Sequence, residues 1–367
     1  MTFGTFFLPG PTEVRVEVLE QMLRPMMQHR SVDFERIFAG VQSGLRTVFG
    51  TSRPVYICTS SGTGLMEAGV RNAPEGDILS LVNGAFSDRF ANIASACGRS
   101  VDRYEVAWGE AHDPKVLREY MGRKSYAAIT VAHSETSSGV LNDVAALNVV
   151  AHEAGAMCLV DSVSGLCGAE LRFDASGFDY VLTGSQKAFA LPPGLAFGVA
   201  SEAFLAAGGK SVSKGVYFDL SEFEEFAQNN QAPNTPSLSL YYALERQLAD
   251  IVAEGMEARW ARHLAMAQLV YDWIGYMQDK HDVTLSILAQ AGHRSPTVSA
   301  IVLPTGVTSD RVISKVAERG ITIGSGYGKL KNPTIRIGHM GDHTLDTVAR
   351  CLDACTDALV EIKAANH

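Results

Sequence analysis

Lys187 follows Gly184-Ser185-Gln186 at the end of the apolar run Tyr180 to Thr183, and it precedes Ala188-Phe189-Ala190-Leu191-Pro192-Pro193-Gly194. Desolvation between two apolar segments disfavours the ammonium form, and a neutral amine is the nucleophile that Schiff-base chemistry needs. The competing reading is a lysine whose stem lies on apolar surface while its head reaches water or a carboxylate. Asp161 ends a second apolar run, Ala156 to Val160, and is followed by Ser162-Val163-Ser164-Gly165. Taken alone it reads as a helix N-cap, a magnesium ligand or the partner of a cation. Lys187, two strand ends later, favours the last of these. An aldehyde cofactor held by a lysine needs a carboxylate to keep its ring nitrogen protonated, because the protonated ring is the electron sink.

Three further segments carry polar groups at places where a sheet would end. Ser60-Ser61-Gly62-Thr63-Gly64 lies between a strand pattern and a helix pattern. Its glycines allow close backbone approach, its hydroxyls donate, and a helix N-terminus favours an anion, so it is a phosphate-binding candidate. It contains neither the Gly-Lys-Ser/Thr of a P-loop nor the third glycine of a dinucleotide fingerprint. His133-Ser134-Glu135-Thr136-Ser137-Ser138-Gly139 has no second His or Cys at ligand spacing, which disfavours zinc. His339 and His343 lie four apart, but Gly341 interrupts any helix between them. Arg336, flanked by Ile335 and Ile337, must find an anion, either a structural carboxylate or a substrate carboxylate held bidentately. Phe86, after Asn83-Gly84-Ala85, is a core residue or a stacking surface for a planar ligand.

These residues need a scaffold that brings strand ends together. From about residue 50, short β-branched runs alternate with helical patterns: Val55 to Thr59, Asp77 to Asn83, Arg99 to Val106, Tyr126 to Ala132, Ala156 to Val160, Tyr180 to Thr183 and Leu195 to Ala200. Near-continuous apolar strands separated by helices predict an α/β fold with a mainly parallel sheet covered on both faces. Ligands of such sheets bind at the carboxyl ends of the strands. After the polar loop Gln228 to Ser237, a long helical pattern runs from Leu238 to about Met277 with a bend expected near Gly255. Short strands (Val283 to Leu288, Val298 to Leu303, Ile321 to Ile323, Thr334 to Ile337) and two helices follow, giving a smaller α+β unit. The expected division is 15–255 for the large unit and 256–367 for the small one, with 1–14 packing near the active site.

The 367 residues, 46% hydrophobic and 19% charged, describe a folded globular chain of about two domains. The net charge of −9 argues against a nucleic-acid footprint or an anionic membrane partner. No apolar stretch approaches the roughly 18 residues of a membrane span, and the N-terminus lacks the pattern of a secretory signal. Six cysteines without a CxxC pair predict free thiols and a cytoplasmic setting.

Taken together, Ser60 to Gly64, the strand-end Asp161 and Gly184-Ser185-Gln186-Lys187 resemble the class V, fold-type-I pyridoxal-phosphate aminotransferases, nearest the alanine–glyoxylate and serine–glyoxylate group. The resemblance runs from Phe7-Leu8-Pro9-Gly10-Pro11-Thr12 through His29-Arg30-Ser31 and His133 to Val140 to Arg336-Ile337-Gly338. It implies that Lys187 binds pyridoxal 5'-phosphate as a Schiff base and afterwards moves the substrate proton. Asp161 then pairs with the ring nitrogen, Val163 packs on one ring face and Phe86, often a Trp in the group, on the other. Ser61, Gly62, Thr63 and Gln186 hold the phosphate, and Thr136 approaches the ring hydroxyl. Thr235 reaches in from a second subunit, which implies a homodimer with shared active sites; Ala232 stands where some relatives place a tyrosine. Arg336 grips the substrate carboxylate. The implied reaction moves an amino group from serine or alanine to a 2-oxo acid, glyoxylate or pyruvate.

Two substrate alternatives stay within the fold. A phosphoserine or aspartate aminotransferase would use 2-oxoglutarate, with His29 and Arg30 binding a substrate phosphate in the former. A cysteine desulfurase is disfavoured because no cysteine lies in a polar loop. The missing dinucleotide fingerprint counts against a dehydrogenase, and the joint presence of Lys187, Asp161 and Arg336 counts against a non-catalytic scaffold.

Overall fold

The computed structural model describes residues 3–209 and 214–365. Its strands, in chain order, are β1 (Phe6–Phe7), β2 (Tyr56–Cys58), β3 (Ile78–Val82), β4 (Val101–Glu105), β5 (Ala128–Ala132), β6 (Ser134–Glu135) and β7 (Val140–Leu141). There follow β8 (Met157–Asp161), β9 (Tyr180–Gly184), β10 (Ala196–Ala200), β11 (Ser286–Ile287), β12 (Val298–Val302), β13 (Thr322–Ser325) and β14 (Thr334–Gly338). Seven of them form one sheet in the order β2-β10-β9-β8-β5-β3-β4. Neighbours from β9 to β4 are parallel, and β10 alone runs against both its partners.

Side-chain alternation explains why these strands read as unbroken apolar runs. Ile129, Val131, Cys158, Val160 and Val181 point into one core with helices Val32–Phe49 and Val144–Glu153. Ala128, Leu159, Tyr180 and Leu182 point into another with helices Gly62–Asn72 and Ala85–Ala96. Both faces are buried, so neither tolerates a polar set. Asp161 pairs with Ala132 of β5 and Leu182 of β9, so the carboxyl ends of the three strands share one edge of the sheet.

A second sheet, in the order β1-β13-β14-β12-β11, is antiparallel except for β1 beside β13. Ile301, Ile335 and Ile337 from it pack with Met266, Val270, Val348 and Leu352 of helices Met256–His281 and Leu345–Ala364. Its edge strand β1 comes from the opposite end of the chain, so the N-terminal segment must cross from one sheet to the other.

Several boundaries differ from the sequence reading, each for a local reason. The long helix is broken rather than bent: Leu238–Glu254 and Met256–His281 meet at Gly255, whose φ of 82° no ordinary residue adopts without strain. Helix Gly62–Asn72 takes in part of the turn segment Ser60 to Gly64, because Gly62, Thr63 and Gly64 form its first turn. The helix after β3 begins at Ala85, directly behind the strand-end segment Asn83-Gly84. The Glu135 carboxylate, 48 residues away in sequence, accepts from Ser87 N–H at its start. Of Val283 to Leu288 only β11 pairs, and His133 to Gly139 opens into the β6–β7 hairpin. His29-Arg30-Ser31 leads into helix Val32–Phe49, with Ser31 as its N-cap through Phe34 N–H.

Candidate active site

The shared strand edge opens on a cavity of about 360 Å³. Asp161 ends β8 and Lys187 follows β9, so adjacent parallel strands deliver both to the same cavity wall. No helix starts at Asp161, which disposes of the N-cap reading; its carboxylate instead accepts from Val163 N–H at 2.8 Å. Burial pushes this carboxyl up to about 7, and the Val163 N–H tempers the rise.

Lys187 is buried too. Burial first, and the charge of Arg336 second, pull its ammonium down to about 8. Its Nζ donates to the Pro9 carbonyl, and its own carbonyl accepts from Thr12 Oγ1 at 3.0 Å. Thr12 N–H also donates to Gln186 O at 3.0 Å. The N-terminal segment thus clasps the lysine loop from the side opposite the sheet. Gly10, with φ of 112°, lies so near that any Cβ there would run into the Lys187 side chain.

The cavity floor is the start of helix Gly62–Asn72. Ser61 occupies the N-cap position with no side-chain capping bond, so the N–H groups of the first turn face the cavity with Ser61 and Thr63 beside them. This is an anion site by geometry. A Cβ on Gly62 would meet Val163 Cγ2 at 2.5 Å, so glycine is what lets Val163 lie over this turn. Phe86 faces the cavity across from Val163's strand end, its helix held by Glu135. That buried carboxylate accepts from Phe86 N–H, Ser87 N–H and Oγ, and Ser137 N–H and Oγ. Thr136 shares a 2.5 Å hydrogen bond with Ser164, and Gln186 lines the wall beside the lysine. Ser61, Gly62, Thr63, Phe86, Thr136, Asp161, Val163, Gln186 and Lys187 therefore line one cavity.

Arg336 stands one layer behind. It is buried in β14, donates through Nε to Ser325 O at 2.8 Å and through Nη1 to Thr136 O at 3.2 Å, and its guanidinium lies 5.5 Å from the Tyr327 ring centre. Burial lowers its pKa from the ordinary arginine value. Thr235 is exposed on the loop before helix Leu238–Glu254 and does not line this cavity. Arg30 is committed to that loop, donating to Gln231 Oε1, Ala232 O and Pro233 O. His339 and His343 bind no common partner: the first bonds Ser299 Oγ and Pro296 O, and the second stacks on Phe7.

Sequence reasoning, which placed residues 1–14 near the site only as a whole, missed four features in and behind the cavity. Pro9 and Gly10 oppose the lysine. Ser164 and Ser134 extend a buried hydroxyl chain, Thr136–Ser164 on one side and Ser134–Ser295–Thr297 on the other. Arg89, one helical turn beyond Phe86, lines the cavity and places its guanidinium 4.9 Å from the Phe86 ring centre. Tyr327 receives its hydrogen bond. The helical i, i+3 spacing of Phe86 and Arg89 was the available signal for the third; nothing local marks Tyr327.

The pieces fit pyridoxal phosphate. An uncapped helix start would take the phosphate, Val163 and Phe86 would flank the ring, Asp161 would meet its nitrogen, and a lysine of lowered pKa would meet its aldehyde. Comparisons with known proteins agree. Residues 14–338 match the family described as aminotransferase class-V. An L-aspartate–glyoxylate aminotransferase of Paracoccus denitrificans is 31% identical over 347 residues, covering 92% of this chain and 86% of that protein. A protein of Synechococcus sp. named soluble hydrogenase, small subunit, is 34% identical over 343 residues, covering 91% and 87%. The solved structure of an aspartate aminotransferase of subgroup IV from Thermus thermophilus superposes with a TM-score of 0.88 at 31% identity, covering 98% of this chain and 99% of that one. The chain belongs to the class V aminotransferases, pyridoxal-phosphate-dependent transaminases of fold type I.

Proposed function

We propose that this chain moves an amino group from a short amino acid, one of serine, alanine or aspartate, to glyoxylate, with pyridoxal 5'-phosphate bound in the cavity at the strand ends. The observation that carries the reading is the pair Asp161 and Lys187, delivered by adjacent parallel strands to one buried wall. Relatives named serine–glyoxylate, alanine–glyoxylate and L-aspartate–glyoxylate aminotransferase support the acceptor.

When bound, the cofactor supplies an aldehyde that exchanges amines and a protonated ring that accepts electrons from the substrate Cα. The chain does the rest. Asp161, ionised in contact with a cation, holds the proton on the ring nitrogen. Lys187, whose ammonium burial pulls down to about 8 and so makes the neutral amine accessible, takes the proton from the substrate Cα. Arg336 fixes the substrate α-carboxylate, which sets the bond that breaks. The apolar faces of Val163 and Phe86 exclude water from the reacting atoms.

The active unit is a homodimer in this reading. Thr235 would complete the phosphate site of the partner subunit, and Arg30 would act by bracing the loop that carries it. That bracing role counts against Arg30 as a ligand of phosphoserine. The large and small bodies divide at Gly255, with the N-terminal segment shared between them. Six unpaired cysteines support a cytoplasmic setting.

The test is a donor and acceptor panel with the purified, cofactor-loaded protein. Serine, alanine, aspartate and phosphoserine are each paired with glyoxylate, pyruvate and 2-oxoglutarate. Glyoxylate should be the preferred acceptor; a best pair of phosphoserine and 2-oxoglutarate would overturn the proposal.

A further inference from the structure

Two arginines beside the cavity hold no carboxylate. Among the described residues neither Arg89 nor Arg336 makes an ion pair. Arg336 is spent on the carbonyls of Ser325 and Thr136, and Arg89 on the Tyr327 hydroxyl at 3.2 Å and the Phe86 ring. The nearest buried carboxylate, Glu135, is saturated by backbone and serine donors on the Phe86 helix and the β6–β7 turn. Both guanidiniums press on Lys187 and lower its pKa, which places both cations within electrostatic reach of the reacting centre.

Tyr327 joins the two. Its hydroxyl accepts from Arg89, its ring lies 5.3 Å from Phe86, and Arg336 stands over its face. Arg89 also separates the inner cavity from an outer one of about 520 Å³, which Tyr327, Trp108 and Lys329 line on the far side. A ligand whose first carboxylate meets Arg336 therefore has a second cation nearby, Arg89, joined to the first through Tyr327. An arginine half-buried without an anion is a site awaiting a planar, bidentate acceptor, and a carboxylate is such an acceptor.

We propose that Arg89 is a specificity-determining residue that takes the side-chain carboxylate of a short dicarboxylic amino acid or 2-oxo acid. Aspartate, rather than serine or alanine, is then the favoured donor. The inference rests on the transaminase reading above and narrows its substrate class.

The experiment uses the cofactor-loaded enzyme with glyoxylate as acceptor and compares kcat/KM for aspartate and alanine. Arg89→Met keeps the side-chain stem over Phe86 and removes the fork. It should lower the ratio of aspartate to alanine kcat/KM by about 100-fold, the size expected for losing one partner of a desolvated charge pair. Arg89→Lys should recover only part of it. A ratio that stays within about threefold of wild type, whatever the individual rates do, would overturn the proposal. Calorimetry supplies a readout independent of turnover: succinate should bind the wild type more tightly than butyrate, and Arg89→Met should erase that preference. Equal binding of the two acids by wild type would also overturn the proposal. If wild type transaminates none of the donors, the functional reading fails, and the calorimetry still decides whether Arg89 selects a second carboxylate.

Discussion

The two walls of the cavity are built on different principles. The inner wall, from β8 and β9 to the start of helix Gly62–Asn72, is formed by the edge of one sheet. Asp161 and Lys187 sit where strand register leaves them, and buried backbone bonds fix both. The outer wall is assembled from remote pieces: Pro9 and Gly10 from the N-terminus and Arg89 from a helix, backed by Tyr327 and Arg336 from the second sheet and its loop. The inner wall carries groups that any chemistry of this kind needs. In the proposed reaction, the outer wall and the residues behind it carry the groups that would meet the substrate. Separating them lets a second sheet change what is bound without disturbing the strand ends that react.

Substitutions on the inner wall should therefore stop the reaction, and those on the outer wall should change which substrate is bound and how tightly. Lys187→Ala stands at one extreme. Transamination should fall about 10⁴-fold, with the circular dichroism of the folded chain retained. A loss under tenfold would place the proton transfer elsewhere.

Asp161→Asn should cost about 10³-fold in kcat while doing the opposite to the cofactor-free protein. The Asp161 pKa rises on folding from 3.8 to about 7, so the folded chain holds on to a proton that the unfolded chain releases. Stability therefore falls as pH rises from about 4 to 7 and stays low above 7. Asparagine removes that penalty. At pH 8 the cofactor-free variant should melt at a higher temperature than wild type, and below pH 4 the advantage should disappear. Equal melting temperatures at pH 8 would show that the carboxylate is not desolvated.

Arg336→Ala should raise KM for every amino donor by about 100-fold and leave cofactor binding intact, a signature of outer-wall binding. An equal loss in cofactor affinity would break the distinction between the walls. Phe86→Ala has the smallest expected effect, about a tenfold weakening of cofactor affinity through lost ring contact. Fluorescence titration with pyridoxal phosphate checks it.

The same division decides what could be read from the chain. Asp161 and Lys187 were legible because each closes a run of buried strand residues, and a polar group at the end of such a run has little else to do. Ser61, Gly62 and Thr63 were legible for a similar reason, as a turn between strand and helix. Arg89 and Tyr327 were not, because their meeting spans 238 residues of sequence and neither segment shows a local pattern that requires the other. The start of the Phe86 helix escaped as well, since Glu135 caps it from a distant hairpin. β1 escaped because a two-residue strand has no period to detect.

Lys187, desolvated just beyond β9, is the residue proposed to bind the cofactor's aldehyde. The direct measurement is the visible absorbance of the protein after incubation with pyridoxal phosphate at pH 8 and removal of the excess, for wild type and Lys187→Ala. The wild type should hold a yellow band that the variant lacks. A band of equal intensity in both, or none in either, would contradict it.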